Sequence, residues 1–138
     1  MGRLTDMRSV ALVVDDDADV RSLAAAILEE TDLRVIEASS GEEALDYLRA
    51  QAGEVVFLFT DVRLPCLMSG VDLARNVQSN WPWIRVMVTS GAPLDQNEVA
   101  ELPREVGFMP KPWKALDVLI EAERANVGEP PLALAKSA

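Results

Sequence analysis

Compact apolar runs alternate along this chain with longer stretches whose apolar residues recur at helical spacing. Val10 to Val14 is unbroken apolar sequence stopped by Asp15, Asp16 and Asp17, and it predicts a strand buried on both faces. From Asp19 to Glu30, the residues Val20, Leu23, Ala24, Ile27 and Leu28 share one side of a helix, with charges between them. Asp17 or Asp19 stands where that helix needs a cap. Leu33 to Glu37 predicts a second strand, and Gly41 to Ala50 a helix with Ala44, Leu45 and Leu48 inward. Val55 to Phe59 is the strongest strand signal and leads to Asp61; the helix after it, Val71 to Gln78, carries Leu73, Ala74 and Val77 as its stripe. Ile84 to Val88 predicts a fourth strand that runs into Thr89, Ser90 and Gly91. A short helix between Asp95 and Leu102 follows, closed by Pro103. The series ends with a brief strand, Val106 to Met109, cut by Pro110 and Pro112, and a helix from Trp113 to Arg124 with Leu116, Leu119 and Ile120 inward.

Five strand–helix pairs imply an α/β fold. Parallel strands need crossover helices, those crossovers are right-handed, and the sheet is then covered on both faces. The expected architecture is a doubly wound (βα)5 sandwich around a five-stranded parallel sheet, flavodoxin-like. A chain of 138 residues suits one such domain, expected over residues 9–125 with an N-terminal extension at 1–8 and a flexible tail at 126–138.

Composition narrows the function. A net charge of -10 opposes binding to nucleic acid or to an anionic membrane surface, because phosphates are repelled. There is no histidine, so triads, zinc sites and phosphorylation that depend on His are excluded, and the chemistry falls to carboxylates. Cys66 is the single cysteine, which fits a reducing compartment. No apolar run approaches the ~18 residues of a membrane span, and a cytoplasmic location is expected.

In open α/β sheets ligands bind beyond the carboxyl ends of the strands, where strand order reverses. At those ends stand Asp15 and Asp16, Asp61, Thr89 and Lys111. Three converging carboxylates repel one another unless they are protonated or hold a cation, and hard oxygen ligation with open positions points to Mg²⁺. With Lys111 and the Thr89 hydroxyl to neutralise a moving phosphoryl group, the set suits phosphoryl transfer, with Asp61 as the candidate nucleophile. Any one of these residues alone is ordinarily a cap or turn former; it is the joint occurrence in this order that carries the reading.

The stretches Val13–Asp17, Phe59–Pro65, Val88–Gly91 and Phe108–Pro112 closely resemble the receiver domains of two-component response regulators, over roughly Ser9 to Arg124. The resemblance implies that Asp61 accepts phosphate from a histidine kinase or a histidine phosphotransfer protein. It implies Mg²⁺ held by Asp15, Asp16, Asp61 and the backbone carbonyl of Arg63, with Asp16 binding directly and Asp15 through water. It also implies that Thr89 reorients toward the phosphoryl group, that Lys111 pairs with it, that Phe108 is the aromatic switch, and that Lys111-Pro112 is cis. Signalling would pass to an unknown downstream protein, with a possible dimer through the face of the fourth helix, fifth strand and fifth helix. No effector domain is expected after Ala125.

The loop from Pro65 to Gly70 is one residue longer than usual for such domains, and Arg63 is a bulky cation near the acceptor, expected to shield it from water. Phe108 lacks the hydroxyl of a tyrosine switch. Trp81, Trp83 and Trp113 are read first as half-buried packing, with Trp113 the one best placed for an interface. Cys66 reads as an incidental loop thiol. Two other classes compete. Asp15-x-Asp17 after an apolar strand resembles the nucleophile and acid of haloacid-dehalogenase-type phosphatases. An FMN binder on the same architecture lacks its phosphate loop here, since three aspartates stand in that place.

Overall fold

The computed structural model describes residues 8–128. Its elements are β1 (Val10–Val14), α1 (Ala18–Leu28), β2 (Arg34–Ala38), α2 (Gly41–Gln51), a 3-10 turn (Ala52–Glu54), β3 (Val55–Asp61), α3 (Gly70–Asn80), β4 (Arg85–Ser90), α4 (Gln96–Glu101), β5 (Gly107–Pro110) and α5 (Ala115–Asn126). All five strands pair in parallel in the order β2-β1-β3-β4-β5. The order reverses between β1 and β3, the switch point of a doubly wound sheet. This is the fold expected above. The expected N-terminal extension and C-terminal tail fall almost wholly outside the described residues.

Side chains alternate across the sheet, so each strand feeds two cores. Leu12, Val14, Leu58, Val86 and Val88 meet the stripes of α2 and α3, including Leu48, Leu73 and Val77. Ala11, Val13, Phe57, Phe59, Met87 and Met109 meet α1 and α5. The starts of α1 to α4 are capped by the short polar side chains placed there, whereas Lys114 before α5 gives no side-chain cap. Asp17 accepts from the backbone N–H groups of Asp19 and Val20, and Ser40 from that of Glu43. Ser69 with Asp72 and Asp95 with Glu98 each form a reciprocal capping box. Such caps are each worth about 1 kcal/mol.

Two helix faces differ from expectation. In α5 the inward residues are Val118, Ala122 and Ala125, while Leu116 is 65% and Ile120 40% exposed. The phenylalanines of β3 already fill that layer, and small residues let α5 lie close to them and to α1. In α1 the same logic buries Ala24, Ala25 and Leu28 and leaves Leu23 57% exposed. The last helix also begins at Ala115 rather than Trp113, because Lys114 is extended. Pro110 does not cut β5 but ends it, which a proline tolerates on an edge strand.

Candidate functional site

Four of the expected residues share one parity of the sheet. Asp15 continues the Ala11–Val13 side of β1, Asp61 the Phe57–Phe59 side of β3, Thr89 follows Met87 on β4, and Lys111 follows Met109 past β5. All four therefore emerge on the α1/α5 face at the carboxyl end of the sheet, and Asp61 and Thr89 are direct register partners. The polar cluster is the two-residue alternation of the core carried past its edge.

The Lys111 ammonium lies 3.2 Å from Asp15 Oδ2 and 3.3 Å from Asp61 Oδ2. Asp15 is buried and its other oxygen accepts the Asp17 backbone N–H at 2.9 Å. Asp15, Asp16 and Asp61 each present a carboxylate oxygen within 4.8 Å of the others, so the three could together hold a divalent cation through hard oxygen donors. Burial pushes the Asp61 carboxyl above its ordinary value; Lys111 opposes this and Asp15 adds to it. Burial pulls the Lys111 ammonium down, but Asp61 and Asp15 outweigh that and hold it above its ordinary value. The site thus sets a carboxylate disfavoured in its charged form, Asp61, beside a cation that stays charged, Lys111.

The loop after β3 closes tightly under Asp61. The Gly70 N–H donates to the Val62 carbonyl at 2.7 Å, and a Cβ at Gly70 would run into the Asp61 carbonyl and lie 2.7 Å from Val62 Cα. The Pro65–Gly70 loop is pinned by α2, since Glu42 Oε2 accepts the backbone N–H groups of Leu67 and Met68 at 3.2 and 3.1 Å. Cys66 takes a positive φ of 70° in this loop and is exposed.

Arg63 does not cover Asp61 with its side chain. Its backbone N–H donates to Asp61 Oδ1 at 3.3 Å, while the guanidinium reaches Ser90 Oγ at 2.7 Å and Glu98 Oε1 at 3.0 Å. The hydroxyl and carboxylate there offer two partners that open solvent over Asp61 does not. Arg63 so clips the loop after Asp61 to the start of α4. Because this ion pair is partly exposed, Arg63→Ala is expected to move unfolding free energy by less than about 1 kcal/mol. It is expected to speed amide exchange in α4 instead, as read by hydrogen exchange; unchanged α4 protection would sink the clip.

Trp113 is turned inward. Its indole N–H donates to Thr89 Oγ1 at 2.6 Å, and its ring lies 5.1 Å from that of Phe59. The packing reading holds for Trp81 and Trp113 but not for Trp83, and Trp113 is not a free interface residue. Trp81 packs against the core, and Trp83 is exposed with its N–H on the Ala52 carbonyl. Sequence reasoning missed the Trp113–Thr89 bond, although a half-buried indole usually finds a partner for its N–H. Lys111-Pro112 is cis, as the resemblance implied. Phe108, the expected switch, is exposed on β5. Asp17 is occupied as the α1 cap, and that leaves it poorly placed to serve as a phosphatase acid.

A profile of the family described as "Response regulator receiver domain" matches residues 11–123. The chain is 37% identical over 79 residues to a protein of Brucella abortus described as sensor kinase CckA, a match covering 56% of this chain and 8% of that protein. It therefore spans under a tenth of that relative's length. Among solved structures, the receiver domain of NtrX from Brucella abortus is similar with a TM-score of 0.74 at 29% identity, covering 85% of this chain and 98% of that one. A response regulator receiver domain protein from Clostridium thermocellum matches with a TM-score of 0.74 at 26% identity, covering 86% and 94%.

Proposed function

Because this chain belongs to the response regulator receiver domains, the signalling modules of two-component systems, we propose that Asp61 is its phosphoacceptor. The observation that carries the reading is Asp61 at the switch point, in contact with Lys111 and within a three-carboxylate group. A carboxylate oxygen of Asp61 attacks the phosphorus of a phosphohistidine. The P–N bond breaks, its electron pair leaves with the imidazole nitrogen, and an acyl phosphate remains. Lys111 holds positive charge beside the oxygens that gain negative charge, and the Thr89 hydroxyl donates to one of them. Asp15, Asp16, Asp61 and the Arg63 carbonyl would hold Mg²⁺, which neutralises the carboxylates and the incoming phosphoryl group.

The unit that carries this function is residues 9–125, bounded closely by the start of β1 and the end of α5. The donor is a histidine kinase or a histidine phosphotransfer protein. Output passes to a downstream protein, or to a second copy, through the face of α4, β5 and α5, where Val99, Phe108, Leu116 and Ile120 are exposed apolar residues. The domain is a switch rather than an enzyme acting on a separate substrate. Among the described residues no helix is long and apolar enough to cross a membrane, and we place the domain in the cytoplasm.

The test is to incubate the protein with acetyl phosphate and Mg²⁺ and locate the added phosphoryl group by peptide mass spectrometry. Label on Asp61 that disappears with a chelator is expected. Label on Asp15, with turnover of phosphoesters, would instead establish the phosphatase alternative.

A further inference from the structure

We propose that Trp113 is the positioning residue of Thr89: its indole N–H holds the Thr89 hydroxyl at rest, and this bond is exchanged when Asp61 carries a phosphoryl group. The inference rests on the reading of Asp61 as phosphoacceptor.

Thr89 and Asp61 are register partners on the same face of adjacent strands, yet the hydrogen bond of the Thr89 hydroxyl runs to Trp113 Nε1 at 2.6 Å. The indole has one donor and no acceptor, so its contact with Oγ1 is directional and occupies one lone pair of the hydroxyl. Thr89 is 2% exposed, so water does not compete for that bond. A β-branched side chain has few χ1 wells, and turning the hydroxyl toward a group on Asp61 means leaving the well that faces Trp113.

Trp113 is itself held on one side and free on the other. Its ring leans on Phe59 at 5.1 Å with an interplanar angle of 57°, which anchors it to the core under Asp61. Its other side lines an open, largely apolar groove with Val20, Leu23, Gly91 and Pro112. Once Thr89 turns away, water entering from that groove can take the freed N–H. The latch therefore costs the switched state roughly one neutral hydrogen bond. Phenylalanine at this position would keep the ring against Phe59 and lose only the donor.

The experiment measures the affinity of beryllofluoride with Mg²⁺ for the parent chain, Trp113→Phe, Thr89→Ala and the double variant. Trp113→Phe is expected to bind about five-fold more tightly, the equilibrium worth of one hydrogen bond of ~1 kcal/mol. In the Thr89→Ala background the same change is expected to have no effect, since no hydroxyl is left to hold. Unchanged or weaker binding by Trp113→Phe, or an equal gain without Thr89, overturns the latch. A second readout needs no change at the latch. The Trp113 indole ¹⁵N–H resonance, identified by elimination with Trp81→Phe and Trp83→Phe, is expected to shift on addition of Mg²⁺ and beryllofluoride. A parent protein that binds them with this resonance unmoved refutes the latch alone. A parent that neither binds them nor takes label on Asp61 refutes the phosphoacceptor reading beneath it.

Discussion

Asp61→Asn is expected to end phosphoryl uptake and, in the same preparation, to unfold at a higher temperature than the parent chain. The first effect follows from losing the nucleophile: an amide oxygen cannot form the acyl phosphate, and the labelling rate by acetyl phosphate should fall by ~10³-fold or more. The second follows from the sign of the Asp61 shift. Burial and the charge of Asp15 raise the carboxyl above its ordinary value even with Lys111 counted against them. The folded state thus holds the proton more tightly than the unfolded chain does. The stability this contributes is fully present below the ordinary carboxyl value and is lost as pH rises through the raised one. At neutral pH the parent carries that loss and the asparagine does not. Thermal unfolding without divalent cations should place the variant a few degrees higher near neutrality, with the two curves converging in acid. Added Mg²⁺ should narrow the gap by stabilising the parent. A variant less stable than the parent near neutrality, or one that still takes label, contradicts this account of the site.

Gly70→Ala is expected to be among the most destabilising single-methyl changes in the domain. The added Cβ meets the backbone carbonyl of Asp61 and the backbone of Val62, and neither can swing aside as a side-chain end can. Relief means moving the end of β3 at Asp61 or shifting the start of α3, which also loosens the Gly70 N–H bond to Val62. A cost of ~3 kcal/mol in denaturant unfolding is expected, with slower labelling of Asp61 because its backbone has moved. Gly53→Ala is the control, since nothing lies within 4 Å of a Cβ there. If Gly70→Ala unfolds at the parent's midpoint, the close approach is not real.

The fold was legible because hydrophobic periodicity and turn residues agree from strand to strand. Val10–Val14 and Val55–Phe59 are apolar throughout because a central parallel strand is buried on both faces. The helix phases were less legible. Leu116 and Leu23 are as apolar as the residues that are buried, and periodicity cannot choose between neighbouring stripes when alanines can serve as the inner surface. Only the bulk of Phe57 and Phe59 in the facing layer makes that choice.

The candidate site divides in the same way. That carboxylates, a threonine and a lysine stand at the ends of four of the five strands is a property of the linear order, and it sufficed to name Asp15, Asp16, Asp61, Thr89 and Lys111. The chain order by itself determined the five-stranded sheet and the residues at its carboxyl edge, because strand ends in a doubly wound sheet have one place to go. Only the tertiary structure decided where the reaching side chains turn: Arg63 to Ser90 and Glu98, Glu42 to the loop after Pro65, Trp113 to Thr89. Those partners are 24 to 35 residues apart. Their pairing depends on distance and free hydrogen-bonding capacity in three dimensions, for which no local spacing in the chain is a proxy.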